Sequence, residues 1–184
     1  MAKQLTEQEI KDKLTRARVQ LLLKAPFFGN LAMRLKLVDG SDWVPTAGTD
    51  GYHFYYNKDF ISDLDEPELL FLMGHEVEHV VYDHMDRRGS RDPKLWNCAA
   101  DFVINLELHD CKVGKLIRRP GKIEPCFDEK YRGMSADQVY ELIKNDPQLK
   151  DKDSFDVHME PGSAGTPDED PTGKTGPKPL TQEQ

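Results

Sequence analysis

The chain has 184 residues, 38% of them hydrophobic, and a formal net charge of −8. That length supports one domain with a packed core, and an acidic chain without a basic stripe lacks the electrostatic footprint of a nucleic-acid-binding protein. The charge is uneven, because residues 151–184 carry eight acids and three bases.

Met1-Ala2-Lys3-Gln4 runs straight into a polar helical pattern, with no apolar leader and no stretch long enough to span a membrane. A cytoplasmic protein without membrane contact is expected. Cys98, Cys111 and Cys126 are odd in number and lack C-x-x-C spacing. They predict reduced, partly buried thiols rather than a disulfide framework or a cysteine zinc site.

Thr6-Glu7-Gln8-Glu9 is a capping-box pattern, and Ile10, Leu14, Ala17 and Leu21 follow at helical spacing, predicting a helix from Thr6 to Lys24. Pro26 and Gly29-Asn30 break it, and the alternation of Leu31, Met33, Leu35 and Leu37 with polar residues predicts a first strand. Val38 to Gly51 reads as a loop, aromatic Tyr52 to Tyr56 as a second strand, and Asn57 to Asp65 as a connector. Asp65 and Glu68, with Pro67 in the first turn, start a helix expected to run from Glu66 to Asp83. After the polar break Arg87 to Pro93 comes a helix from Pro93 to Leu108, then a loop with short extended pieces from Cys111 to Lys130. Ser135 and Gln138 open a last short helix containing Val139, Tyr140, Leu142 and Ile143. Residues 160–184 hold five Pro and four Gly. The expected division is a folded domain over residues 1–158 and a disordered acidic tail over 159–184.

The chemistry concentrates in His75-Glu76-Val77-Glu78-His79, an H-E-x-x-H pattern inside the predicted Glu66–Asp83 helix. With His75 at 0° on a helical wheel, His79 falls at about 40° and Glu76 at about 100°, while Leu70, Met73, Val77 and Val81 fall at about 160–240°. Two imidazoles on one face suit Zn²⁺, with a third protein group and a water completing an open site, and Glu76 then serves as general base. The plainer reading is a histidine pair without metal and an ordinary helix carboxylate. Glu78, at about 300°, reads as a solvated group or as support for the site.

The third ligand is open on spacing alone. His84 is close in sequence but falls at about 180°, away from the motif histidines, if the helix continues. Asp83, at about 80°, is a weaker alternative. Asn97, Asp101 and Asn105, four apart, form a polar stripe on an otherwise apolar helix. A buried stripe of this kind needs partners, which makes Asp101 the better candidate, with Asn97 and Asn105 as supports. The alternative is a short polar face in water.

His75 to His79 with Val80-Val81-Tyr82-Asp83-His84, then Arg87-Arg88, Asp92-Pro93, Leu95-Trp96-Asn97, Ala99-Ala100-Asp101 and Val103-Ile104-Asn105, resembles the predicted metallopeptidase domain of bacterial and phage proteins. Thr49-Asp50-Gly51, Tyr55-Tyr56-Asn57, Gly133-Met134-Ser135-Ala136 and Val139-Tyr140-Glu141-Leu142 extend the resemblance over roughly residues 6–158. The resemblance implies an α+β, zincin-like fold, with a small mixed sheet packed on the motif helix and a second helix closing a zinc site. It also implies peptidase activity, with His75, His79 and Asp101 as ligands. Bacterial members usually carry a following von Willebrand factor A-like domain. Here a Pro/Gly-rich acidic tail stands in that place, and a short stand-alone form is more typical of a phage-encoded protein, so a phage or bacterial source is expected.

These readings converge on hydrolysis of a peptide or protein substrate, in which zinc activates water and Glu76 moves the proton. Tyr52 to Tyr56, as a sheet edge, is a candidate for pairing with an extended substrate. His158, Tyr131 and Tyr140 are candidates for stabilising the oxyanion, each with packing or surface exposure as its simpler role. Two further readings remain: a catalytically silent zinc-containing binding or inhibitory module, and a structural metal in which His84 or Asp83 supplies a fourth protein ligand.

Overall fold

The computed structural model describes residues 5–119, 123–146 and 149. The expected tail over 159–184, and His158, lie outside the described residues. α1 (Glu7–Lys24) starts at a complete capping box: the Thr6 side chain accepts the Glu9 N–H, and the Glu9 carboxylate accepts the Thr6 N–H at 2.8 Å. Its buried stripe is Ile10, Leu14, Ala17 and Leu21, the period anticipated from the sequence.

Pro26 does not end the helical region. It occupies the first turn of α2 (Pro26–Ala32), a position where its missing N–H costs nothing. A Cβ on Gly29 would sit 2.2 Å from the Leu22 Cα, so glycine is what lets α2 cross close over α1. This overturns the predicted strand at Leu31–Leu37. The alternation there was coincidental, and strand structure begins only at β1 (Lys36–Asp39).

β2 (Ala47–Thr49) and β3 (His53–Tyr56) complete a three-stranded sheet of order β1-β3-β2. β1 runs parallel to β3 with Lys36 opposite His53, and β2 runs antiparallel with Ala47 opposite Tyr56. The sheet is therefore mixed, within an α+β fold. β3 lies in its middle, so the aromatic strand has no open edge for a substrate, and β2 was hidden in what reads as a loop. Asp50 shapes the β2–β3 turn: its Oδ1 accepts the N–H groups of Tyr52 and His53 at 2.8 and 2.7 Å, and its Oδ2 meets His53 Nδ1 and accepts from the Tyr55 hydroxyl, both at 2.8 Å. Phe54 and Tyr56 face the main core, while Tyr55 packs with Val44 and Trp43 on the other side.

Asn57 caps a further short helix, α3 (Lys58–Asp63), within the expected connector. α4 (Glu66–Val81) opens on the Asp65–Glu68 capping box and is buried continuously from Glu68 to His79. It is the centre of the molecule, packed against α1, α2, β2, the short α5 (His84–Arg87) and α6 (Pro93–Asp110). Gly114, at φ +69, lets the chain leaving α6 pass over the start of α4, where a Cβ would meet the Pro67 carbonyl at 2.3 Å. Arg119 then reaches back to Glu68 with both guanidinium NH₂ groups, at 2.7 and 2.8 Å. That pairing, against the opposing effect of burial, lowers the Glu68 carboxyl to about 2. α7 (Ala136–Ile143), capped by Ser135 as expected, closes a second apolar cluster with Leu95, Cys98, Phe102 and Cys126.

Candidate metal centre

α4 and α6 lie side by side, and this juxtaposition brings the motif to the polar stripe. His75 Nε2 and His79 Nε2 are 2.9 Å apart, and Asp101 Oδ1 lies 3.5 and 3.4 Å from them. The three side chains are at most 1% exposed. They make up the one cluster of metal-ligating type found among the described residues.

The His75 tautomer follows from its partner. Asn105 Nδ2 donates to the Cys126 carbonyl at 3.0 Å, which fixes the orientation of the amide. Its Oδ1, an acceptor, faces His75 Nδ1 at 3.0 Å. His75 therefore carries its proton on Nδ1 and presents a lone pair at Nε2. His79 Nδ1 meets His84 Nδ1 at 3.2 Å. With the proton of that pair on His79, its Nε2 likewise presents a lone pair. Two imidazole lone pairs and a carboxylate oxygen then converge on one point.

That donor set fits a zinc-sized ion. Tetrahedral coordination at about 2.0–2.1 Å places neighbouring ligands about 3.3–3.4 Å apart, close to the triangle present. A Ca²⁺-type site, with six to eight oxygens at about 2.3–2.6 Å, does not match two nitrogens and one carboxylate.

His84 lies where the wheel did not put it. α4 ends at Val81, and Asp83 turns the chain in the left-handed region at φ 53. The reversal carries His84 back against the His79 ring, on the side of its Nδ1, and not into the triad. The Trp96 Nε1–H donates to the His84 carbonyl at 2.7 Å, and Tyr82 stacks on its ring. Asp83 is exposed. Neither belongs to the cluster of metal-ligating type found among the described residues. The polar stripe on α6 is buried along its length, with Asn97 6% and Asn105 0% exposed.

Glu76, the residue after His75 on α4, is fully buried. Glu78 is not solvated: it is buried, and its carboxyl oxygens have no hydrogen-bond partner among the described residues. Burial, reinforced by Glu107 and opposed by His75, pushes it up to about 9. Glu107 accepts a hydrogen bond from the Tyr82 hydroxyl. Tyr131 packs on Phe102 with ring centroids 4.7 Å apart, and the Tyr140 hydroxyl accepts the Asp92 N–H at 3.0 Å. Both therefore have packing or bracing roles in this structure. Beside His84 opens a cavity of about 560 Å³, lined by Tyr82, Leu106, Glu107 and Met134 among others.

Two histidines and a carboxylate on adjacent buried helices of an α+β domain make a cluster that could hold a metal ion. The chain belongs to the family described as "Putative metallopeptidase domain", whose model matches residues 9–183. No curated protein and no solved structure matches it. Among the described residues no helix is long and apolar enough to cross a membrane.

Proposed function

We propose that this domain is a zinc-dependent peptidase. The observation that carries the reading is the convergence of His75 Nε2, His79 Nε2 and Asp101 Oδ1 within 2.9–3.5 Å of one another, next to buried Glu76. These three residues would hold the ion. Zn²⁺ supplies a Lewis acid that makes water a competent nucleophile near neutral pH and polarises a carbonyl. The Glu76 carboxylate takes the proton from the attacking water and returns it to the leaving amine. Asn105 and His84 hold the two imidazoles in the tautomers this requires.

The substrate in this reading is a peptide or protein. Residues up to 158 form the catalytic unit in this reading, with 159–184 as an appended tail. Burial of the triad favours a second reading, in which the domain binds zinc and acts as a binding or inhibitory module. Glu76→Gln separates the two. In a peptidase the variant retains one zinc per chain and loses cleavage of peptides that the parent cuts in a mixed peptide library. A parent that binds zinc yet leaves every peptide and folded protein substrate intact overturns the enzymatic reading.

A further inference from the structure

Cys98 and Cys126 are buried, and their Sγ atoms lie 2.7 Å apart. Cys98 is on α6, one turn before Asp101. Cys126 belongs to the segment that returns across α6 between the 119–123 bridge and the turn at Glu129–Tyr131. Both sit in the apolar cluster closed by Val139 and Ile143. The third cysteine, Cys111, caps the far end of α6 and is exposed.

We propose that Cys98 and Cys126 form a reversible disulfide, a redox-modification site that staples the returning segment to α6. A disulfide needs its sulfurs about 2.05 Å apart, and at 2.7 Å the two are already closer than ordinary sulfur–sulfur contact. The oxidant is a small-molecule disulfide of the glutathione class. One cysteine thiolate attacks it, forming a mixed disulfide and releasing one small thiol. The second cysteine thiolate attacks the protein-bound sulfur and releases another. Two protein thiols lose two electrons, the small disulfide gains them, and both thiol protons leave on the two small thiols. Because both side chains are buried, exchange proceeds when the segment around Cys126 lifts from α6.

The bond reaches the metal centre through one residue. The Cys126 carbonyl accepts from Asn105, and Asn105 holds His75. Oxidation therefore pins the far end of the relay that orients a ligand. This consequence rests on the zinc reading; the disulfide itself does not.

The test uses the full chain, as purified and again after chelation, equilibrated in glutathione buffers stepped from reduced to oxidised. Samples are quenched in acid, alkylated in denaturant and mapped by mass spectrometry. The expected result is a Cys98–Cys126 linked peptide lighter by two hydrogens, with Cys111 alkylated, both with and without metal. Cys111→Ser forms the link as the parent does, and Cys98→Ala and Cys126→Ala abolish it. Full alkylation of Cys98 and Cys126 at every ratio overturns the proposal, as does pairing through Cys111 or a stable glutathione adduct on Cys98 or Cys126. Because the chelated sample reports on the bond alone, failure here is distinct from failure of the zinc reading.

Discussion

Asn105→Ala removes the residue that sets the His75 tautomer, and its cost can be worked from two contacts. Asn105 is fully buried and makes 3.0 Å hydrogen bonds to His75 Nδ1 and the Cys126 carbonyl. Loss of a partner that orients a ligand histidine costs about 10–100-fold in metal affinity, or about 1.4–2.7 kcal/mol. Leaving a buried donor and a buried acceptor unpaired costs about 2–3 kcal/mol in fold stability. Competition against a chromophoric chelator gives the zinc affinity, and a thermal melt followed by circular dichroism checks that the variant folds. Asp101→Ala, which deletes a ligand, should lose zinc far more completely. Asn105→Asp keeps an acceptor for His75 but loses the donor to Cys126, so its zinc affinity should fall less than that of the alanine variant. A cooperatively folded Asn105→Ala that binds zinc within twofold of the parent would refute the reasoning.

Gly29→Ala should destabilise the fold by about 3 kcal/mol, because the new methyl would lie 2.2 Å from the Leu22 Cα on α1; chemical denaturation measures it, and a variant as stable as the parent would show that the crossing is not tight. The Glu68 carboxyl sits at about 2 in the folded chain against an ordinary 4.5, so its contribution is fully present above about pH 4.5 and is lost as pH falls towards 2. With Glu68 buried but Arg119 one-third exposed, Arg119→Gln should cost about 1–2 kcal/mol at pH 7 after allowance for solvent screening. Urea titrations of parent and variant should converge near pH 2, and a constant difference across that range would assign the effect to packing instead.

How much of this was legible beforehand differs from element to element. The helix starts were clear because Thr6, Asp65 and Ser135 each precede a Glu or Gln three residues on, and capping is a local matter that sequence states directly. The pairing of Asp101 with the H-E-x-x-H histidines was legible because a polar stripe at a four-residue interval on an apolar helix has few destinations. α2 was misread because Leu31–Leu37 alternates, whereas the deciding fact is the close passage of Gly29 over Leu22, which is tertiary. His84 was misplaced because the wheel assumed a continuing helix, and nothing in Tyr82-Asp83-His84 announces that Asp83 adopts a left-handed turn. The support from the Cys126 carbonyl is a backbone contact, and no side-chain pattern encodes it.

The seclusion of the triad has a kinetic meaning. His75, His79, Asp101 and Glu76 are at most 1% exposed, so anything that reaches them waits for the surrounding packing to breathe. An ion once admitted should leave on the timescale of that breathing rather than at the speed of a surface site. A peptide would face the same gate, with turnover levelling off at the opening frequency however much substrate is supplied. In the peptidase reading, reactivity is then withheld from any protein that does not open that packing.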